Sequence, residues 1–171
     1  MIGVIDYGAG NIRSISRGLV AAGAEVKIVE GGSELVHLDG IVLPGVGHAG
    51  QLMRSLEDRG FCSAISAAVA TGTPFLGICV GLQIMFGSQE EGGGEGFGFL
   101  PGRVQHLPKS LKTPHMGWSE VESVANSPLG LKGFRDYFYF VHSYAADLIE
   151  NPAVVATTTY GVTFPSVVIQ D

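Results

Sequence analysis

Short apolar runs alternate with segments of helical periodicity through the first half of the chain. Asn11 to Ala22 carries apolar residues at the spacing of a helix face, with Asn11 as the predicted N-cap and Gly23 as the predicted stop. A second helix is predicted over Phe61–Gly72. The predicted strands are residues 2–7, 25–30, 40–47 and 74–78. This order of strands and helices predicts a parallel sheet with helices on both of its faces.

The second half of the chain has a different pattern, with little helical periodicity. Residues 87–99 are rich in glycine and glutamate and are predicted to form an exposed loop. Strand-like segments follow at residues 102–107, 115–124, 137–145, 153–161 and 162–171. We expect them to add antiparallel strands to the same sheet. The predicted fold class is therefore α/β, a mostly parallel central sheet flanked by helices with added antiparallel strands, in a single domain over residues 1–171.

Composition narrows the class of protein further. A net charge of −6 over 171 residues argues against nucleic acid or an anionic membrane as the main partner. The N-terminus lacks the charged flank and the long apolar core of a signal peptide, so we expect a cytoplasmic protein. The two cysteines form no CxxC pair and the five histidines are scattered, so neither a metal nor a cofactor is expected.

Glycine spacing marks Cys79 as a candidate nucleophile. Gly77 and Gly81 lie two residues to either side of it, the spacing of a nucleophile elbow between a strand and a helix. Side chains at those two positions would collide across so sharp a bend. The start of a helix would favour the thiolate, and the Val80 amide would face an oxyanion. We favour this function over a buried structural cysteine, whereas Cys62, which has no flanking glycines, is predicted to lie in the core.

Two further glycine-containing loops follow predicted strands. Pro44–Gly47 could supply a second oxyanion donor, although alone it is equally typical of an ordinary strand-to-helix turn. Gly8–Gly10, with Glu30 at the end of the next predicted strand, suggests a dinucleotide-binding loop as a weaker alternative. Arg13 stands where that motif needs a small residue, which argues against it.

Four segments together carry a resemblance to a known family. They are PGVG at residues 44–47, LGICVGLQ at 76–83, PHMGW at 114–118 and YFYFVHSY at 137–144. They resemble the class I, or triad, glutamine amidotransferases, and within that class the glutaminase subunits of imidazole glycerol phosphate synthase. The likeness extends from residue 4 to the end of the chain.

The resemblance implies a reaction at Cys79. The thiolate would attack the side-chain amide of glutamine and form a thioester. Backbone amides of Val46, Gly47 and Val80 would hold the oxyanion. The ammonia released would pass through a tunnel to a cyclase subunit, a (β/α)8 barrel. That partner, in a heterodimer, would make imidazole glycerol phosphate and aminoimidazole carboxamide ribotide in histidine biosynthesis.

The resemblance also implies substrate-binding residues. Gln83 matches a glutamine-contacting residue, and His142, Ser143 and Tyr144 match a segment that contacts the amino-acid end of the substrate. The aromatic run Tyr137–Phe140 alternates like a strand packed on both faces, and the resemblance implies that one or two of its tyrosines reach the subunit interface.

The family's general base and its orienting acid lie in a late His-Pro-Glu tripeptide, which occurs nowhere in these 171 residues. We therefore expect a C-terminally shortened chain with exposed apolar sheet surface. Loss of general acid–base help, typically ~10²–10⁴-fold, predicts severely reduced glutaminase activity.

A catalytically impaired partner-binding module is thus an alternative. A cysteine-dependent α/β-hydrolase using Asp136 and His142 is a further alternative of low rank. His115 is predicted to be structural or near the partner surface.

Overall fold

The computed structural model describes residues 1–147 and 150–170. The chain forms two compact units, Met1–Phe99 and Leu100–Asp171. The single domain expected over residues 1–171 stays a prediction. Within the described ranges, no helix is both long enough and apolar enough to cross a membrane.

The first unit is built on a parallel sheet of strand order β2-β1-β3-β4. Its strands are β1 (Ile2–Ile5), β2 (Val26–Val29), β3 (Gly40–Gly45) and β4 (Phe75–Cys79), followed by a separate short strand β5 (Phe86–Gln89). Its helices are α1 (Ile12–Ala21), α2 (Ala49–Asp58), α3 (Phe61–Ala70) and α4 (Val80–Gln83), with 3-10 turns at Gly32–Leu35 and Glu91–Gly93. The predicted parallel sheet is confirmed.

The capping residues predicted from the sequence for helix α1 agree with the structure. The Asn11 side chain accepts a hydrogen bond from the Ser14 N–H at 3.2 Å, so Asn11 is the N-cap as predicted. Gly23 follows the helix with a φ of 90°, a left-handed conformation that glycine adopts readily. Helix α2 was not predicted, although Ala49, Leu52 and Leu56 lie on one buried face at helical spacing.

The core of the first unit lies between the sheet and helices α2 and α3. Ile41 and Leu43 of β3 are buried in it. Because side chains alternate along a strand, Val42 points to the opposite face, where it lines an open apolar groove with α1, Leu76 and Ile78. Helix α1 has no buried residue. The two faces therefore differ, since one is a closed core and the other is an open groove.

The second unit is antiparallel. Its strands are β6 (Leu100–His106), β7 (His115–Ser123), β8 (Arg135–His142), β9 (Tyr144–Ala146), β10 (Val154–Tyr160) and β11 (Val162–Val168). Four of them form a sheet of their own in the order β11-β10-β7-β8, and β9 pairs with β6. The expectation that these strands extend the parallel sheet is wrong, because they pair antiparallel with one another instead.

Strand β8 has no buried residue, and one of its faces is open along its length. Its pairing sets Met116 opposite Val141, Trp118 opposite Tyr139 and Glu120 opposite Tyr137, so these side chains share a face. We define the aromatic face as the exposed apolar residues of this set, which are Met116, Trp118, Tyr137, Tyr139 and Val141. Packing on both faces, as expected from the alternation, is therefore wrong for β8. The other face carries the buried His115.

Candidate active site

The bend predicted at Cys79 is present. Strand β4 ends at Cys79 and α4 begins at Val80, so a single residue makes the turn. Cys79 has φ 58° and ψ −116°, a conformation that side chains larger than glycine rarely adopt. Such a backbone costs of order 1–3 kcal/mol and persists only where its surroundings enforce it. The elbow geometry is thus confirmed.

Three glycines enforce this bend by close backbone packing. A Cβ at Gly77 would overlap the carbonyl of Gly81, and a Cβ at Gly81 would overlap the carbonyl of Leu43. On the neighbouring strand, a Cβ at Gly45 would overlap the Gly81 amide. The predicted collision across the bend is therefore confirmed for Gly77, whereas at Gly81 the close neighbour is the adjacent strand β3. Because these neighbours are backbone atoms, no side-chain rotation could relieve the overlap.

The thiol of Cys79 is accessible, but the protein does not favour its ionised form. The residue is exposed. Atoms around the sulfur nevertheless desolvate it, which raises the pKa of Cys79, while a hydrogen bond from the Val80 N–H lowers it to a smaller extent. The expected preference for thiolate is wrong. Helix α4 is only four residues long, so it offers little dipole to offset desolvation.

The PGVG loop lies beside the elbow. Gly45 pairs with Cys79 in the β3–β4 ladder, so Val46 is the first residue past that pairing. The Val46 N–H donates to the hydroxyl of Tyr7 at 3.0 Å. Tyr7 is buried, and burial raises its pKa. One of the predicted oxyanion donors therefore already has an acceptor in this structure.

Two side chains fix the start of helix α2 directly after the loop. His48 is its N-cap, and its Nδ1 accepts from the Gly50 N–H at 3.1 Å. The Glu91 carboxylate accepts from the Ala49 N–H at 2.9 Å. Sequence reasoning missed Glu91 as an anchor and expected a solvated loop. Since Glu91 lies 42 residues beyond Ala49, no local pattern could have identified it.

Gln83 lies in the last turn of α4, one helical turn beyond Cys79. It is partly buried. Its carbonyl accepts from the side-chain amide of Gln89 at 2.8 Å, and Gln89 is itself buried. The backbone that carries Gln83 is thereby fixed relative to the nucleophile.

In the second unit, His142 is part of a pair of histidines. Its Nε2 lies 2.8 Å from Nδ1 of His115, and its Nδ1 lies 2.9 Å from the carbonyl of Tyr144. His115 is only 2% exposed, which agrees with a structural role. Burial lowers the pKa of both rings, and the neighbouring His142 lowers that of His115 further. Both nitrogens of the His142 ring are thus engaged within the unit.

Cys62 packs against the core, as predicted. Its sulfur lies 3.9 Å from the carbonyl of Met53, and burial raises its pKa to about 12. A thiol with that pKa is not a nucleophile near neutral pH. Among the described residues, no group of three or more His, Cys, Asp or Glu side chains is placed to hold a metal ion.

Comparison of the sequence with known proteins identifies a family. The family model "Glutamine amidotransferase class-I" matches residues 3–168. The HisH subunit of imidazole glycerol phosphate synthase from Desulfitobacterium hafniense is 42% identical over 174 residues, covering 100% of this chain and 82% of the relative. The HisH subunit from Methanothermobacter thermautotrophicus is 44% identical over 173 residues, covering 100% of this chain and 85% of the relative.

Solved structures share the fold at lower identity. A glutamine amidotransferase crystal structure superimposes with a TM-score of 0.73 at 18% identity, covering 97% of this chain and 88% of its own. The PurLQS structure from Thermotoga maritima also has a TM-score of 0.73, at 21% identity, with 94% and 75% coverage. At such identities the likeness establishes the fold alone.

The comparisons give no support to the dinucleotide-binding loop, to the α/β-hydrolase or to the impaired module. The family match spans both units, and the HisH relatives align with the whole chain. The chain therefore belongs to the class-I glutamine amidotransferases and, within them, to the HisH subunits of imidazole glycerol phosphate synthase.

Proposed function

We propose that this protein is the glutaminase subunit of an imidazole glycerol phosphate synthase in histidine biosynthesis. It hydrolyses glutamine to glutamate and ammonia and passes the ammonia to a cyclase subunit. The observation that carries the proposal is the exposed Cys79 at the apex of a strained elbow, with the Val80 N–H directed at its sulfur.

The first step is attack of the Cys79 thiolate on the carbonyl carbon of the glutamine side-chain amide. The carbonyl electrons move to oxygen, and the Val80 N–H stabilises that oxyanion. When the oxyanion collapses, the C–N bond breaks and ammonia leaves with an added proton. Water then attacks the thioester, the C–S bond breaks, glutamate is released, and the Cys79 thiol is regenerated.

Because its pKa is raised, the thiol has to lose its proton to a base as attack begins. Among the described histidines we assign none to this role. The rings of His115 and His142 bond each other, and Nδ1 of His48 accepts from the Gly50 amide. The proposal therefore rests on the nucleophile and its oxyanion donors.

Val46 and Gly47 are the proposed second source of oxyanion donors. The Val46 N–H reaches an oxyanion only after leaving the Tyr7 hydroxyl. Gly47 allows the loop to turn, since it has a φ of 79° and no atom lies within 4 Å of where its Cβ would be. Gly45 and Ala49 hold the two ends of the loop, so the movement is confined to the peptides between them.

Gln83 and the segment His142-Ser143-Tyr144 are the proposed contacts to glutamine. Gln83 follows the nucleophile by one helical turn on a fixed backbone, which suits a residue that orients the reacting amide. The segment His142–Tyr144 is the proposed contact to the amino-acid end of glutamine.

Glutamine hydrolysis by a cysteine nucleophile needs no cofactor. The two free cysteines suit the reducing cytoplasm, where we place the protein.

The aromatic face is the proposed docking surface for the cyclase subunit. Trp118 is 71% exposed and Tyr139 is 57% exposed. Their rings pack edge to face with centres 5.7 Å apart. Contiguous exposed aromatic residues are typical of interaction sites, and Trp and Tyr dominate binding energy in interfaces. The occupant follows from the HisH relatives, which are subunits of a synthase.

Glutamine hydrolysis and active-site labelling test this function. In the presence of the cyclase subunit, we expect glutamate and ammonia to form from glutamine in equal amounts. A diazoketone analogue of glutamine should add its carbon chain to Cys79 alone, and free glutamine should block the addition. Peptide mass spectrometry locates the adduct. If neither glutamate nor adduct forms, the glutaminase assignment is wrong.

Removing the indole of Trp118 should weaken cyclase binding. We expect Trp118→Ala to raise the dissociation constant by roughly 30-fold, about 2 kcal/mol, as is common for a central aromatic residue. Leu129→Ala is the matched control, because Leu129 is similarly exposed at 67% but lies outside the aromatic face. Titration calorimetry with the cyclase subunit measures both. Equal dissociation constants for the two variants would place the interface elsewhere.

A further inference from the structure

A continuous series of hydrogen bonds connects strand β7 to the first residue of β9. The Ser119 hydroxyl lies 2.8 Å from Nε2 of His115, and Nδ1 of His115 lies 2.8 Å from Nε2 of His142. The series ends where Nδ1 of His142 meets the carbonyl of Tyr144 at 2.9 Å. We call these four groups the histidine relay. Since all of them belong to the second unit, the relay is complete within it.

The Tyr144 carbonyl at the end of the relay determines which ring nitrogens carry a proton. The Tyr144 carbonyl can only accept, so Nδ1 of His142 carries a hydrogen. In a neutral ring Nε2 of His142 then accepts, which requires Nδ1 of His115 to donate. Nε2 of His115 in turn accepts from the Ser119 hydroxyl. Every contact in the relay thus has one donor and one acceptor when both rings are neutral.

Aromatic side chains hold the two rings in this arrangement. His115 is stacked between Tyr160, with ring centres 4.1 Å apart, and Phe140, with centres 5.0 Å apart. Phe164 packs edge-on against His142 at 4.9 Å. The Tyr160 hydroxyl donates to the carbonyl of Lys112 and so takes no part in the relay. Burial among these rings lowers the pKa of both histidines, which keeps them neutral.

The relay and the pairing of β9 with β6 together set the backbone direction at the start of β9. The Ser143 carbonyl accepts from the Leu107 N–H at 2.8 Å, and the Tyr144 carbonyl accepts from His142. A trans peptide is planar, with its N–H opposite its C=O, so fixing these two carbonyls also fixes the N–H directions of Tyr144 and Ala145. One of the two anchors depends on the His142 ring, and His115 holds that ring.

We propose that His115 is a positioning residue for glutamine. Through His142 it fixes the tautomer and the carbonyl anchor that shape the His142–Tyr144 segment. The inference rests on the proposed function, which assigns that segment to the amino-acid end of glutamine. His115 acts through another residue and without touching the substrate, so its loss should weaken binding far more than it slows the chemical step.

Two substitutions at position 115 separate hydrogen bonding from packing. His115→Phe keeps an aromatic ring in the stack but removes the donor to His142. His115→Asn places an amide N–H near the position of Nδ1 and keeps the donor. In the complex with the cyclase, we expect His115→Phe to raise KM for glutamine by roughly 10-fold, as for loss of one buried hydrogen bond, with kcat within about 3-fold. His115→Asn should keep KM within about 3-fold of the parent.

Tyr160→Phe is the control, because it alters the same aromatic cluster while leaving the relay intact. Its KM should equal that of the parent protein. Nitrogen-15 NMR of the His142 ring adds a readout independent of glutamine. We expect the Nδ1–H tautomer in the parent and in His115→Asn, and a mixed tautomer in His115→Phe.

The outcomes distinguish this inference from the proposed function. If the parent protein hydrolyses glutamine and His115→Phe has the parental KM, the positioning role is wrong. An equal rise of KM in His115→Asn, or in Tyr160→Phe, would indicate packing alone and also overturn it. If the parent itself neither binds nor hydrolyses glutamine, the proposed function fails, and the tautomer measurement still decides whether His115 fixes the His142 ring.

Discussion

Cys79→Ala is expected to lose glutamine hydrolysis by on the order of 10⁴-fold or more, because the nucleophile that forms the thioester is gone. Cys62→Ala is the matched control, since that cysteine is partly buried against the core and its pKa is about 12. It should retain both turnover and labelling by the diazoketone analogue. Glutamate release in the presence of the cyclase subunit measures the first effect, and intact-protein mass measures the second.

Labelling by the diazoketone analogue compares the two cysteine variants independently of their turnover. Cys79→Ala should gain no adduct while still folding, because alanine occupies a left-handed φ at a cost similar to that of cysteine. An adduct on Cys79→Ala, or its loss in Cys62→Ala, would assign the nucleophile to the other cysteine. Circular dichroism of both variants establishes that each is folded.

Gly81→Ala is expected to destabilise the first unit by about 2–4 kcal/mol, since the new Cβ would overlap the Leu43 carbonyl and force β3 away from α4. The same displacement would move Cys79, so labelling at the elbow should fall as well. The control is Gly18→Ala in α1, where no atom lies within 4 Å of the new Cβ. That change should stabilise the protein by about 0.5–1 kcal/mol, because alanine favours the helix.

Urea unfolding monitored by circular dichroism measures both glycine variants. We expect the midpoint to fall for Gly81→Ala and to rise slightly for Gly18→Ala, with similar slopes. If Gly81→Ala unfolds at the parental midpoint, the backbone overlap is relieved without cost. The elbow would then not depend on glycine at that position.

The elbow was predictable from sequence because its causes are local. The spacing of Gly77, Cys79 and Gly81 reports the collision of a Gly77 side chain with the Gly81 carbonyl, four residues along the chain, whereas the contact of Gly81 with Leu43 of β3 left no local signal. The N-cap at Asn11 is likewise a contact across three residues. Features of this kind leave a signature within one short segment, and strands β1 to β4 and helices α1 and α3 were identified on the same basis.

Contacts between distant segments were not predictable in this way. Tyr7 meets Val46 across 39 residues, and nothing around either residue indicates the pairing. The His115–His142 contact depends on the register of β7 against β8, which sets the two residues directly opposite each other. A shift of one residue would have separated them. The pKa of Cys79 was also predicted wrongly, because desolvation is a property of the folded surroundings.

The hydrogen bond from the Val46 N–H to the Tyr7 hydroxyl has to be replaced before this amide can bind another acceptor. An N–H commits its proton to one acceptor, and here the acceptor is an uncharged hydroxyl. Hydrogen bonds to ionised acceptors are roughly twice as strong as those between neutral groups. A neutral amide carbonyl therefore competes poorly for this donor, whereas an alkoxide can displace the phenol. In the proposed reaction this contact would make the Val46 N–H selective for negative charge, so the amide would stabilise the transition state more than bound glutamine.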